Sequence, residues 1–243
     1  MKSSPHTASQ RSGFTLMETV IAIGVLAILL TSFMAVFGPA AANLRRAISV
    51  QEADRLVASL DLEMTTVHSS ENNQYTSGFD KAYNWIIDSS KSEKALLLYQ
   101  YRGNPAKLRD DGSMEPYTTP GGTAGKDYVV QPMVRQRDNS SLKDDIAALE
   151  GPIYTVTMTQ LIFKDGHLDE GQAGSVEPPD KSDTSSSASA GSGSDGYPAA
   201  VIAFEAEFYL IPNSSIDYVK PGGKFDPTKL GKPLFTNNMA VRR

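Results

Sequence analysis

From Phe14 to Phe37 the chain is a single apolar run whose polar members are Thr15, Glu18, Thr19, Thr31 and Ser32. As a helix it rises about 1.5 Å per residue and reaches roughly 36 Å, enough to cross a hydrocarbon core of about 30 Å with some tilt. Threonine and serine hydroxyls bond back onto their own helix. Glu18 cannot do so as a carboxylate. A charge in a membrane helix costs roughly 2.5–3.5 kcal/mol at the helix centre, so such a residue is expected to be functional and to have a partner.

Three readings of the run compete. In the first it is a secretory signal peptide, with Lys2 and Arg11 as the basic region and cleavage near Ala42, after Pro39-Ala40-Ala41. Signal cores run about 7–15 residues, and this one is longer and begins with a glutamate. In the second it is a plain single-span anchor, with Glu18 near the interface, for a periplasmic binding or sensor protein that does not polymerise. Basic residues flank both ends, Lys2 and Arg11 before and Arg45 and Arg46 after, so charge asymmetry does not orient the span.

The third reading is a family resemblance. Gly13-Phe14-Thr15-Leu16-Met17-Glu18, followed by the long apolar helix, resembles the processing site of type IV pilins and of the pseudopilins of type II secretion systems. The similarity covers residues 11–60. It implies that a prepilin peptidase removes residues 1–13 at the Gly13–Phe14 bond and that Phe14 becomes the N-methylated N-terminus. Glu18 takes the place of the family's assembly glutamate. The implied protein is a non-enzymatic structural subunit of a type IV pilus or a secretion pseudopilus. Its partners would be the peptidase, like subunits, membrane lipid and an inner-membrane assembly platform. It would sit as a single-pass protein in a bacterial inner membrane, head in the periplasm, and enter a filament after assembly. The implied fold is α+β and pilin-like, a long N-terminal helix packed on an antiparallel β-sheet head.

The resemblance also gives Glu18 a partner. Cleavage exposes an ammonium on Phe14, one helical turn away on the same face. In a stack of subunits the glutamate of one chain can neutralise the ammonium of the next, which makes Glu18 a registry device.

The chain of 243 residues has no cysteine, three histidines and a formal charge of −5. Disulfides and thiolate metal sites are excluded, and an acidic exported chain has no electrostatic reason to bind nucleic acid. Adhesive type IV pilins commonly carry a C-terminal disulfide loop, so its absence leans toward a pseudopilin-like member. The size of the head and its insertion point to a minor subunit.

Beyond the span, Gly38-Pro39 is expected to interrupt the helix. An amphipathic half then continues over residues 39–68. Leu44, Ile48, Leu56, Leu60 and Met64 form its apolar stripe, widened by Ala53, Val57 and Val67. Residues 69–243 form the β-rich head. Strands are expected over 83–87, 95–101, 128–135, 153–163 and 199–211. The last two alternate best, so one face of each strand should be buried. Residues 175–197, centred on a Ser/Gly/Asp-rich tract, read as a disordered excursion between those two strands. The tail from Asn213 to Arg243 reads as irregular, with Leu234 and Phe235 pinned to the head.

Catalytic motifs are missing. Gly121–Asp127 is similar to a phosphate loop, but Pro120 and Asp127 stand where that loop needs glycine and a hydroxyl, so a surface turn is expected. His68 and His167 have no nucleophile motif beside them. No cofactor is expected. Some pseudopilins bind calcium in a head loop, and Asp165, Asp169 and Glu170 are the weak candidate ligands for a hard cation, although their spacing fits no calcium pattern.

Overall fold

A computed structural model of the chain describes residues 15–67, 75–164, 166–178 and 193–243. It divides into two compact units, Met1–Ile48 and Ser49–Arg243. The first helix, α1, spans Leu16–Thr65 and contributes to both. Its helical assignment passes through Gly38 and Pro39, contrary to the expected interruption. A proline forfeits one backbone bond, and flanking turns of good helix formers can hold the run together.

Within the second unit, the end of α1 buries Leu56, Leu60 and Met64, the part of the predicted stripe that meets the head. Val67 remains 39 % exposed. The helix α2, Gly78–Asp88, follows. Its second half is the segment expected as a strand at 83–87. Tyr83, Trp85, Ile86 and Ile87 favour strands locally. The longer pattern decides otherwise, because Phe79, Ala82, Trp85 and Ile86 share one buried face and Ser77 caps the start by accepting from the Asp80 N–H. Gly78 touches the end of α1 so closely that a Cβ would lie 2.7 Å from the Thr65 carbonyl oxygen. Lys81 is fully buried there, donating to Glu63 at 2.5 Å and to the Thr66 carbonyl at 2.9 Å while lying over the Trp85 ring.

The head is α+β, with a seven-stranded antiparallel sheet. Its strands are β1 (Leu96–Leu108), β2 (Met114–Pro116), β3 (Val129–Gln136), β4 (Tyr154–Lys164), β5 (His167–Glu170), β6 (Val201–Leu210) and β7 (Phe235–Arg242). The main path is β2-β1-β4-β6-β7, with β3 against β1 and β5 against β4. Thus β4 and β6 are antiparallel neighbours, as the excursion between them required. The strands expected at 95–101, 128–135, 153–163 and 199–211 correspond to β1, β3, β4 and β6.

One sheet face packs on α1 and α2 through Leu98, Val156, Phe204, Phe208 and their neighbours. Among the described residues the other face is covered only near β1 and β3, where Leu97, Tyr99, Tyr101 and Met133 meet Leu142, Val219 and Phe225. Leu142 opens α3 (Leu142–Ala147), and Val219 ends α4 (Ile216–Val219). So β6 alternates as expected, whereas the first half of β1 is buried on both sides. The tail also differs from expectation, since β7 lies within it and pairs with β6 over eight residues. Phe235 stacks on Phe208 with ring centroids 4.4 Å apart, and the Leu234 N–H donates to the Phe208 carbonyl. Of the expected disordered excursion, residues 179–192 lie outside the described residues. Tyr197, placed inside it, is a core residue against Phe79 and Tyr83.

Candidate functional site

The N-terminal part of α1 is apolar around its whole circumference. Leu16–Phe37 has the length and composition of a membrane span, and none of it is buried within the protein. Large side chains such as Leu16, Ile28, Phe33 and Val36 stand exposed. The hydroxyls are satisfied inside the helix: Thr31 donates to the Ala27 carbonyl at 2.7 Å and Ser32 to the Ile28 carbonyl at 2.8 Å. Thr15 receives the Glu18 N–H on its hydroxyl at 3.3 Å, in the manner of a helix N-cap.

Glu18 lies in the first turn of this helix and is exposed. A carboxylate there also complements the partial positive charge of the helix N-terminus, a modest gain of about 0.3–1 kcal/mol at exposed sites. Gly13 and Phe14 lie outside the described residues. Glu18 is therefore the one residue of the predicted processing and assembly set whose setting is described.

Of the weak metal candidates, the two that are described do not converge. Asp165 lies outside the described residues. Asp169 and Glu170 are consecutive exposed residues of β5, and consecutive strand residues point to opposite faces. Among the described residues no group of three or more His, Cys, Asp or Glu could hold a metal ion. His167 opens β5 in an exposed position, and His68 lies outside the described residues. In Gly121–Asp127 the Asp127 carboxylate accepts the Thr123 N–H at 2.8 Å, closing a surface turn.

Two features of the head have no signal in the sequence. One is a cleft of about 690 Å³ between the end of α1 and β3. Glu63, Tyr75, Trp85, Asp111, Arg135 and Gln136 are among its lining residues, which include neither His nor Cys. The Trp85 indole donates to the Tyr75 hydroxyl at 3.0 Å, so its polar atom is already engaged.

The other is a buried charge cluster that forms part of the cleft floor. Asp145, fully buried on α3, accepts from Arg109 Nη1 at 2.6 Å, Arg135 Nε at 2.8 Å and the Tyr99 hydroxyl at 2.7 Å. Arg135 continues to Asp111 at 2.9 Å and to Ser113. Burial and the Asp145 charge raise the Tyr99 phenol well above its ordinary value. These residues lie far apart in the chain, and only the pairing of β1 with β3 and the packing of α3 bring them together. The cluster is paired throughout, which makes it a structural element of the head.

Its pH dependence follows from Asp111. Burial pushes this carboxyl up, but the hydrogen bonds from Ser113 and the charge of Arg135 outweigh it and bring it down to about 2. An acid held below its unfolded value of about 3.9 stabilises the fold fully above that value and loses the contribution as pH falls toward 2. The stability difference between the protein and Asp111→Asn is therefore expected to be constant above about pH 5 and to shrink between about pH 4 and 2. Thermal melts across that range measure it, and a pH-independent difference contradicts the assignment.

No family model, curated protein or solved structure matches the chain.

Proposed function

We propose that this protein is a non-enzymatic, pilin-like or pseudopilin-like structural subunit, of the minor kind. A prepilin peptidase processes it at Gly13–Phe14, and it assembles through its N-terminal helix. Like subunits and an inner-membrane assembly platform are its partners. Before assembly it resides in a bacterial inner membrane with its head in the periplasm. The observation that carries this reading is the setting of Glu18: a lone carboxylate in the first turn of an exposed apolar helix, five residues beyond Gly13.

A plain anchor gains from that carboxylate no more than the modest helix-terminus interaction. A stacked subunit gains more, because each newly freed Phe14 ammonium enters a low-dielectric bundle and needs a counter-charge at a fixed height. The β-sheet head supports the same reading, as a folded module carried by the helix.

Mass spectrometry of the mature N-terminus, in a host that supplies the peptidase, tests it. The expected product begins with N-methyl-Phe14. An intact leader would mark a plain anchor and a start at Asn43 a secreted protein, and either result overturns the proposal.

A further inference from the structure

Among the described residues, the sheet leaves one long edge without a partner. Arg243 donates its N–H to the Ala200 carbonyl, and β7 pairs with β6 in unbroken register from Val201↔Arg242 to Phe208↔Phe235. Antiparallel pairing alternates, so residues 235, 237, 239 and 241 bond to β6. The backbone groups of Thr236, Asn238, Ala240 and Arg242 face away, and all four residues are exposed. No described residue bonds to them.

The other edges are protected. On β3 the outward residues are Val130, Pro132, Val134 and Gln136. Proline lacks an N–H, and the Gln136 carbonyl already accepts from Asn139. β2 spans three residues and β5 four. Short strands and prolines are the usual means of blocking strand addition, and β7 has neither across eight residues.

Charge indicates what pairs with it. The outward-facing side of β6 carries Glu205 and Glu207, opposite Asn238 and Thr236 of β7. Neither glutamate has an ion pair among the described residues. Burial, then the neighbouring Glu170 and Glu207, push the Glu205 carboxyl up. At the far end of the same strand face stands Arg242, also without an ion pair. An antiparallel copy of β7 paired over residues 236–242, the register in which the outward backbone groups of both copies meet, sets Arg242 of the second copy opposite Thr236, one strand from Glu207. The two-fold axis repeats the contact.

We infer that β7 is a docking edge for a second copy of this chain, joining two heads into one continuous antiparallel sheet, with Arg242 of each copy facing Glu207 of the other. Such an interface is isologous and closes on itself. It goes beyond the subunit reading and does not depend on Glu18 or on processing.

The chain has no cysteine, so introduced ones are unique. In the inferred register Asn238 lies directly opposite Ala240 of the second copy, a Cα separation of about 5.5 Å for a bonded pair and within disulfide reach. Full-length Asn238→Cys and Ala240→Cys proteins are mixed in detergent under mild oxidant. The mixed 238–240 disulfide is expected to exceed either homodisulfide. Adding Arg242→Glu to both proteins should lower its yield roughly fivefold, and further adding Glu207→Arg should restore it. All these positions lie at the outer face or edge of the sheet, and circular dichroism checks that each variant folds. No disulfide, equal yields of mixed and homodisulfides, or indifference to the charge exchange overturns the inference.

Discussion

Asp145→Ala is expected to destabilise the head by about 3–5 kcal/mol, the cost of removing one partner from a buried ion pair. Asp145 is fully buried and receives Arg109, Arg135 and the Tyr99 hydroxyl. Its loss leaves Arg135 with only Asp111 and Ser113 and strands the Tyr99 hydroxyl. An unmet buried donor adds about 1–3 kcal/mol of its own, part of the same total. Against a whole-domain stability of about 5–15 kcal/mol this is a large fraction. At about 2–4 °C per kcal/mol for a domain of this size, the melting temperature should fall by roughly 6–20 °C.

Two comparisons make the result specific. Asp144→Ala, one residue away on the exposed side of α3, should change stability by no more than about 0.5 kcal/mol. Replacing Asp145, Arg109, Arg135 and Asp111 together by apolar residues of similar volume, with Tyr99→Phe, should recover much of the loss, because the cost lies in the unpaired charges and donors. Thermal melts followed by near-UV circular dichroism measure all three. Equal effects of Asp144→Ala and Asp145→Ala contradict the assignment.

Glu18→Gln is expected to leave cleavage at Gly13–Phe14 intact and to abolish incorporation into a filament. The substitution keeps the side-chain shape and removes only the charge. An ammonium left unpaired in a low-dielectric bundle costs several kcal/mol. At 1.4 kcal/mol per decade, this lowers assembly by roughly a hundredfold or more. N-terminal mass spectrometry and the amount of subunit in sheared filaments give the two readouts. Normal assembly of processed Glu18→Gln would refute the registry role. Loss of processing would move Glu18 into peptidase recognition. The β7 interface is tested separately by its own disulfides and can fail while this result stands.

Periodicity made parts of the fold legible. The alternation of 153–163 and 199–211 appears as β4 and β6, and the four-residue spacing of Leu56, Leu60 and Met64 appears as the buried face of α1. Local composition misled where packing outweighed propensity. The aromatic and branched residues at 83–87 became half of α2, because a capping serine and a longer helical period outweighed them. The tail pair Asn237-Asn238 has little strand propensity, yet the Phe235–Phe208 stack and an open side of β6 recruit it into the sheet.

The amino-acid order alone determines the membrane-length run, the single carboxylate in it and the absence of disulfides, because these depend on residue type over short stretches. It also contains the Gly13–Glu18 motif on which the subunit reading rests. Tertiary structure decides which distant charges become partners and which strand forms the open edge among the described residues. Asp145 meets Arg109 and Arg135 only through the pairing of β1 with β3 and the packing of α3. The free edge of β7 exists only because six other strands fill the sheet before it. Burial strengthens charge pairs and penalises unpaired ones, and burial is a property of the packed chain.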